Sequence, residues 1–278
     1  MSTQAYLDPE LLWTPERLRS SLDDPDIRVV DVRFGEAFAS GHVPGACHFS
    51  VYGINTYDTD DAPLRSFTHM WAFLLGLRGV RADHTIVVYG DQTDMSAARA
   101  FWFLEYLGHD DVHVLDGGFD AWKAAGLPVA HDGAVPKAAS FEYTARRERV
   151  ATYQDVIDAI DSPRHVILDT RSRKEWNGTD KRAARNGAVP SSVHLEWLEH
   201  LTPDGRMKPA PELRALFEAR GVTPDRTVIA LCNTGYRSAH AYLALRLLGY
   251  PNVRNYVGSW QEWGNRDGCP VVVPQEGV

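Results

Sequence analysis

The sequence predicts an α/β fold in two tandem copies, each a mostly parallel sheet with helices on both faces. Three observations carry this expectation. Short β-branched runs alternate with helical stretches along all 278 residues, the pattern that builds parallel sheets through helical crossovers. The second half repeats the first in order: Asp31 to Asp169, Ser96 to Ser238 and Trp122 to Trp263 are offset by 138, 142 and 141 residues, which marks a duplicated domain and not a short solenoid repeat. A chain of this length with 44% hydrophobic and 24% charged residues is also long enough for two cores.

In the first half, Thr14 is placed to cap a helix begun by Pro15. Ile27–Arg33 reads as a strand, followed by a loop holding Gly41-His42-Val43-Pro44-Gly45-Ala46. Phe67–Gly76 reads as helix, Thr85–Tyr89 as strand, Ser96–Leu107 as helix and Val112–Leu115 as strand. Gly117 to Trp122 closes the series as a turn and short helix. The second half follows suit, with helix at Thr152–Ile160, strand at His165–Arg171 and loop at Gly187-Ala188-Val189-Pro190. Helix at Pro211–Arg220, strand at Thr227–Leu231 and a terminal turn from Gly258 to Trp263 complete the copy. The expected division is residues 1–130, a linker at 131–149 rich in Gly, Pro and Ala, and residues 150–278.

A net charge of −8 argues against general nucleic-acid binding and against attraction to anionic membranes. The basic run Arg146-Arg147-Glu148-Arg149 therefore reads as a solvated face. Three scattered cysteines form no disulfide framework and fit a reducing compartment. His42, Cys47 and His48 lie close together without completing a ligand set, so no metal or cofactor is expected. The N-terminus lacks the pattern of a signal peptide and no apolar run reaches spanning length, which makes the cytoplasm the expected location.

The chemistry concentrates at Cys232. The run Val228-Ile229-Ala230-Leu231 reads as a buried strand ending at this cysteine, and a polar turn leads from it into a helix. Backbone N–H groups converge at such a turn, which lowers a thiol pKa and cradles an anion. Gly235 permits the curl and Arg237 adds a positive charge five residues on. At the matching place in the first half stands Gly90, followed by Asp91 and Asp94, so that half has no nucleophile. Cys47 and Cys269 lie beside apolar stretches and read as structural.

On these residues the chain resembles the tandem-domain rhodanese family, the thiosulfate and 3-mercaptopyruvate sulfurtransferases. The second half matches through Asp169-Thr170-Arg171, Arg185-Asn186-Gly187-Ala188-Val189-Pro190, Cys232 to Ser238 and Gly258 to Gly264. The first half resembles the catalytically silent domain through Asp31-Val32-Arg33, Gly41 to Ala46 and Gly117 to Trp122. The resemblance implies sulfur transfer from a small anionic donor, through a Cys232 persulfide, to cyanide, a thiol or a protein acceptor. It implies donor contacts from Asn233, Thr234, Gly235, Tyr236, Arg237 and Ser238. Thr234 serves either as a hydroxyl donor to the substrate or as a helix cap. Arg185 matches the family's substrate-binding arginine, or else is a surface residue in a basic run with Lys181 and Arg182.

Some positions depart from the family pattern. The Gly187–Ser191 loop lacks the His and final Gly often found there. The active loop is neither the Cys-Arg-Lys-Gly form of thiosulfate enzymes nor the Cys-Gly-Ser/Thr-Gly-Val-Thr form of mercaptopyruvate enzymes, and Ser66 to Met70 does not reproduce the Asp-His-Met-Leu-Pro element of the latter. Arg237 favours an inorganic dianion, so thiosulfate is expected over 3-mercaptopyruvate. Two rival readings stand beside this one: a non-catalytic module built on the same duplicated fold, against which Cys232 with Arg237 argues, and a Cys-dependent phosphatase. Phosphatases of a related fold carry Cys-x5-Arg, whereas the spacing from Cys232 to Arg237 is one residue shorter and suits a single sulfur.

Overall fold

The computed structural model describes residues 5–133 and 136–274. The outermost residues of the two expected halves, 1–4 and 275–278, and linker positions 134 and 135 lie outside the described residues, as does the start of the N-terminus judged to lack a signal peptide. The first half runs β1 (Leu12–Trp13), α1 (Pro15–Ser21), β2 (Ile27–Asp31), α2 (Gly35–Ala39), β3 (Cys47–His48), α3 (Asp61–Leu77), β4 (Thr85–Tyr89), α4 (Met95–Tyr106), β5 (Val112–Leu115) and α5 (Gly118–Ala124). The second repeats this order: β6 (Val150–Ala151), α6 (Tyr153–Ala159), β7 (His165–Asp169), α7 (Arg173–Trp176), β8 (Val193–His194), α8 (Ala210–Glu218), β9 (Thr227–Leu231), α9 (Arg237–Leu247), β10 (Val253–Tyr256) and α10 (Ser259–Trp263).

Each half holds a five-stranded parallel sheet, ordered β1-β5-β4-β2-β3 and β6-β10-β9-β7-β8. The central strands match the sequence reading because they are continuous apolar runs covered on both faces. The two-residue edge strands β1, β3, β6 and β8 carry no such run, and only pairing defines them. The caps behave as read: Thr14 accepts from the Arg17 N–H, and Thr152 forms a capping box with Asp155.

Alternate residues on a strand face opposite ways, and here they serve different cores. Ile86 and Val88 of β4, with Val228 and Ala230 of β9, join one core shared by both halves. That core is filled by Phe101, Trp102 and Leu104 of α4 and by Leu243, Leu245 and Leu247 of α9, all essentially buried. Val87 and Tyr89 turn outward to a second core with Leu18 and Trp122, while Ile229 and Leu231 turn to a third with Val156 and Trp260. Helices thus cover both faces of each sheet, and α4 and α9 meet in the middle. Polar ties cross the same seam: the Tyr242 hydroxyl donates to Glu105 at 2.5 Å and Arg246 pairs with Glu105 at 3.0 Å.

The linker does not hang free. Ala139 N–H donates to Gly76 O, Thr144 N–H to Leu107 O and Arg146 N–H to Tyr106 O, so the segment packs along the first half. A Cβ at Gly76 would stand 2.5 Å from Ala139 O, which explains a glycine near the end of α3. Arg146 and Arg147 of the basic run take Asp110 and Asp155 as partners. No helix among the described residues is long and apolar enough to cross a membrane.

Candidate active site

Parallel sheets gather their loops at the carboxyl ends of the strands, where ligands bind. At that end both halves repeat one structural clip. Arg171 donates to Asp169 at 2.6 Å and to Gly187 O at 2.7 Å, with its guanidinium 4.1 Å from the Trp260 ring. Arg33 does the same with Asp31 at 2.6 Å and Gly41 O at 2.7 Å, stacked 4.1 Å from Phe119. The missing His in the Gly187 loop does not alter its course. Ala188 bridges antiparallel to Val272 just as His42 bridges to Ala130, because backbone groups make the contact.

Cys232 follows β9 and is 1% exposed. The turn curls around it: the Gly235 N–H donates to Sγ at 3.1 Å. Gly235 has φ +83°, and a Cβ there would meet Arg99 Nη1 at 2.6 Å and Val257 O at 2.9 Å, so the curl requires glycine. The Ser238 hydroxyl lies 3.6 Å from Sγ but only 2.7 Å from Asn255 Oδ1. Its single hydrogen goes to the asparagine, which fixes the loop from below.

Burial alone would raise the Cys232 pKa. The Arg237 charge and hydrogen bonds from the Ser238 and Thr234 backbone outweigh it, and the thiol ends below its ordinary value of 9.0. For Cys47 burial prevails and lifts the thiol to about 11, and Cys269 is also raised by burial. None of the three is in a disulfide.

A cleft of about 540 Å³ opens over the sulfur. Asn233, Thr234, Tyr236 and Arg237 line it, as the sequence led one to expect. Helix α9 begins at Arg237 with no side-chain cap, so Thr234 is not the cap and faces the cleft. The opposite wall comes from the first half, through Tyr52, Gly53, Asn55, Tyr57 and Met95.

Two arginines differ from expectation. Arg185 does not line the cleft. Its guanidinium donates to the main-chain carbonyls of Gly264, Trp263, Cys269 and Arg266, clamping the C-terminal segment instead of an anion. Four of its five N–H donors go to carbonyls and its tip lies outside the cleft, whose second lining arginine is instead Arg182. Arg237 is not free either. Its Nη1 and Nη2 pair with Glu175 Oε2 and Oε1 at 2.6 and 2.9 Å. Burial pushes the Glu175 carboxyl up, yet Arg237 and Ser172 pull it down to about 2.

Sequence reasoning missed Glu175, Arg182, Trp197 and the whole first-half wall. The Ser172-x-x-Glu175 capping box was legible and forms; that its carboxylate also meets Arg237 needed the tertiary structure.

The first half fills the matching nest from its own chain. A Cβ on Gly90 would stand 2.0 Å from Asp94 Oδ2. That carboxylate accepts from the N–H groups of Asp91, Ser96 and Ala97 at 3.0, 2.8 and 3.0 Å. Asp94 thus excludes an outside anion by occupying its place, a closer fit than repulsion at a distance.

Comparison with known proteins places this geometry. A family model described as the Rhodanese-like domain matches residues 14–125 and 152–266. The chain is 34% identical to the sulfur carrier protein TtuD of Thermus thermophilus, spanning 98% of this chain and 99% of that protein. It is 33% identical to a thiosulfate sulfurtransferase of Pseudomonas aeruginosa over 96% of this chain and 99% of the relative. The crystal structure of SseA from Escherichia coli, a 3-mercaptopyruvate sulfotransferase, is 29% identical with a TM-score of 0.78, covering 91% of this chain and 99% of SseA.

Proposed function

We propose that this chain, which belongs to the rhodanese family, is a sulfurtransferase that takes sulfane sulfur from thiosulfate onto Cys232. The observation that carries the reading is the contrast among three buried cysteines: only Cys232 sits in a nest of N–H donors with its pKa lowered. A thiolate attacks a sulfane sulfur where a thiol does not. The Cys232 thiolate forms a bond to the outer sulfur of thiosulfate, the S–S bond breaks, and sulfite leaves with the electron pair. The persulfide anion so formed takes over the donors that held the thiolate. Cyanide or a thiolate then bonds to the terminal sulfur and returns Cys232 as thiolate.

Asn233, Thr234, Tyr236 and Arg237 are assigned to donor contact by their place on the cleft wall, Gly235 and Ser238 to shaping the loop. The division of work follows the halves, with 150–278 supplying the nucleophile, 1–130 the facing wall and 131–149 the connection. Thiosulfate is preferred over 3-mercaptopyruvate because the first-domain element of mercaptopyruvate enzymes is missing at Ser66 to Met70. The three unpaired cysteines support a cytoplasmic location. Phosphate-ester chemistry is disfavoured by the spacing from Cys232 to Arg237, one residue shorter than the Cys-x5-Arg of phosphatases.

The test is intact mass after incubation with thiosulfate or with 3-mercaptopyruvate. The expected result is one added sulfur from thiosulfate on wild type and none on Cys232→Ser. Equal labelling of the variant sinks the mechanism, and faster turnover of 3-mercaptopyruvate reverses the donor.

A further inference from the structure

Arg99 of α4 is fully buried, yet among the described residues it has no carboxylate partner. The other buried arginines do: Arg33 pairs with Asp31 and Arg171 with Asp169. Arg99 instead spends Nη1 on Thr234 O at 2.9 Å and Nη2 on Ile54 O at 3.0 Å, and Nε has no partner. Its guanidinium lies 4.1 Å from the Tyr236 ring, on which it stacks. Thr234 and Tyr236 belong to the cysteine loop, and Ile54 belongs to the first-half segment that walls the cleft.

A buried cation without a counter-ion is costly. A guanidinium does not escape that cost by losing its proton. The two arginines that line the cleft have carboxylate partners, Arg237 in Glu175 and Arg182 in Asp180, whereas Arg99 behind the loop has only carbonyls.

We propose that Arg99, contributed by the half without a nucleophile, is a positioning residue that supplies the net positive charge for the Cys232 thiolate and persulfide and pins the cysteine loop to the opposite wall. This rests on Cys232 being the sulfur carrier, but its test reads the thiol directly. Burial works against the Arg99 charge, and the neighbouring Tyr236 and Cys232 work for it.

The experiment compares the pH profile of Cys232 alkylation by iodoacetamide in wild type, Arg99→Gln and Arg99→Lys, with urea unfolding as the check on folding. The glutamine keeps a donor and loses the charge, and its profile is expected to move up by about one pH unit, so that alkylation below the pKa slows roughly tenfold. The lysine is expected to restore most of the wild-type profile. A folded Arg99→Gln with an unchanged profile overturns the proposal. If Arg99→Gln does not fold, wild type provides the measurement: converting Cys232 to the persulfide with inorganic polysulfide at pH 7 must raise Tm, and an unchanged or lower Tm overturns the proposal. Thiosulfate turnover is measured alongside. A shifted alkylation profile without sulfur transfer from any donor refutes the proposed function while leaving the role of Arg99 intact.

Discussion

Replacing Glu175 with Gln removes one charge from the ion pair that joins the nucleophile loop to α7. The carboxylate accepts from Arg237 Nη1 and Nη2 and from the Ser172 N–H and hydroxyl at 2.6, 2.9, 3.0 and 2.8 Å. Its side chain is 4% exposed and that of Arg237 18%, so solvent screens the pair little. A folded pKa of about 2 against an ordinary 4.5 is worth about 3 kcal/mol. The sign follows from the direction: a carboxyl held low stabilises the fold above the unfolded value of 4.5 and loses that contribution as pH falls towards 2. Wild type is therefore expected to exceed Glu175→Gln by about 3 kcal/mol at pH 7 and by only about 1 kcal/mol at pH 3. Urea titrations across pH 3–7 measure that difference directly. Asp155, also pulled down to about 2, titrates in both proteins and cancels. The same variant frees the Arg237 charge, so Cys232 alkylation should shift to lower pH. A stability gap that stays constant from pH 7 to 3 refutes the assignment of the pair, and an alkylation profile that moves up refutes its electrostatic coupling to the sulfur.

Arg185→Ala is expected to lose about 2 kcal/mol in urea unfolding, since four carbonyls lose a charged donor, while KM for thiosulfate stays within about twofold. A large rise in KM with unchanged stability would restore Arg185 to substrate binding. Gly235→Ala should nearly abolish sulfur loading, because a Cβ at φ +83° meets both Arg99 and Val257 O, at a strain of about 1–3 kcal/mol; normal loading by mass would refute the required curl. Gly90→Cys is expected to gain no second persulfide, as the Asp94 carboxylate already fills that nest, and to lose about 1–3 kcal/mol through overpacking. Two added sulfurs in its intact mass would show that the silent half lacks only a nucleophile.

The duplicated order of strands and helices, Cys232 at a strand-to-helix turn and its replacement by Gly90 are all legible in the sequence. They rest on local signals, since apolar runs, caps and glycines act on their own neighbourhoods. The edge strands were not legible because two residues carry no pattern of their own. Tertiary structure decided the roles of the arginines. The turn offered Arg237, and the family resemblance Arg185, as partners for a substrate anion; the fold spends Arg185 on carbonyls and pairs Arg237 with Glu175. It also carries Arg99 from the far half to within 2.9 Å of Thr234, 135 residues away in sequence. A long cationic side chain takes whichever partners surround its tip, and those partners come from distant segments. The position of the nucleophile is thus written locally, and the balance of charge around it exists only once α4 and α9 have packed together.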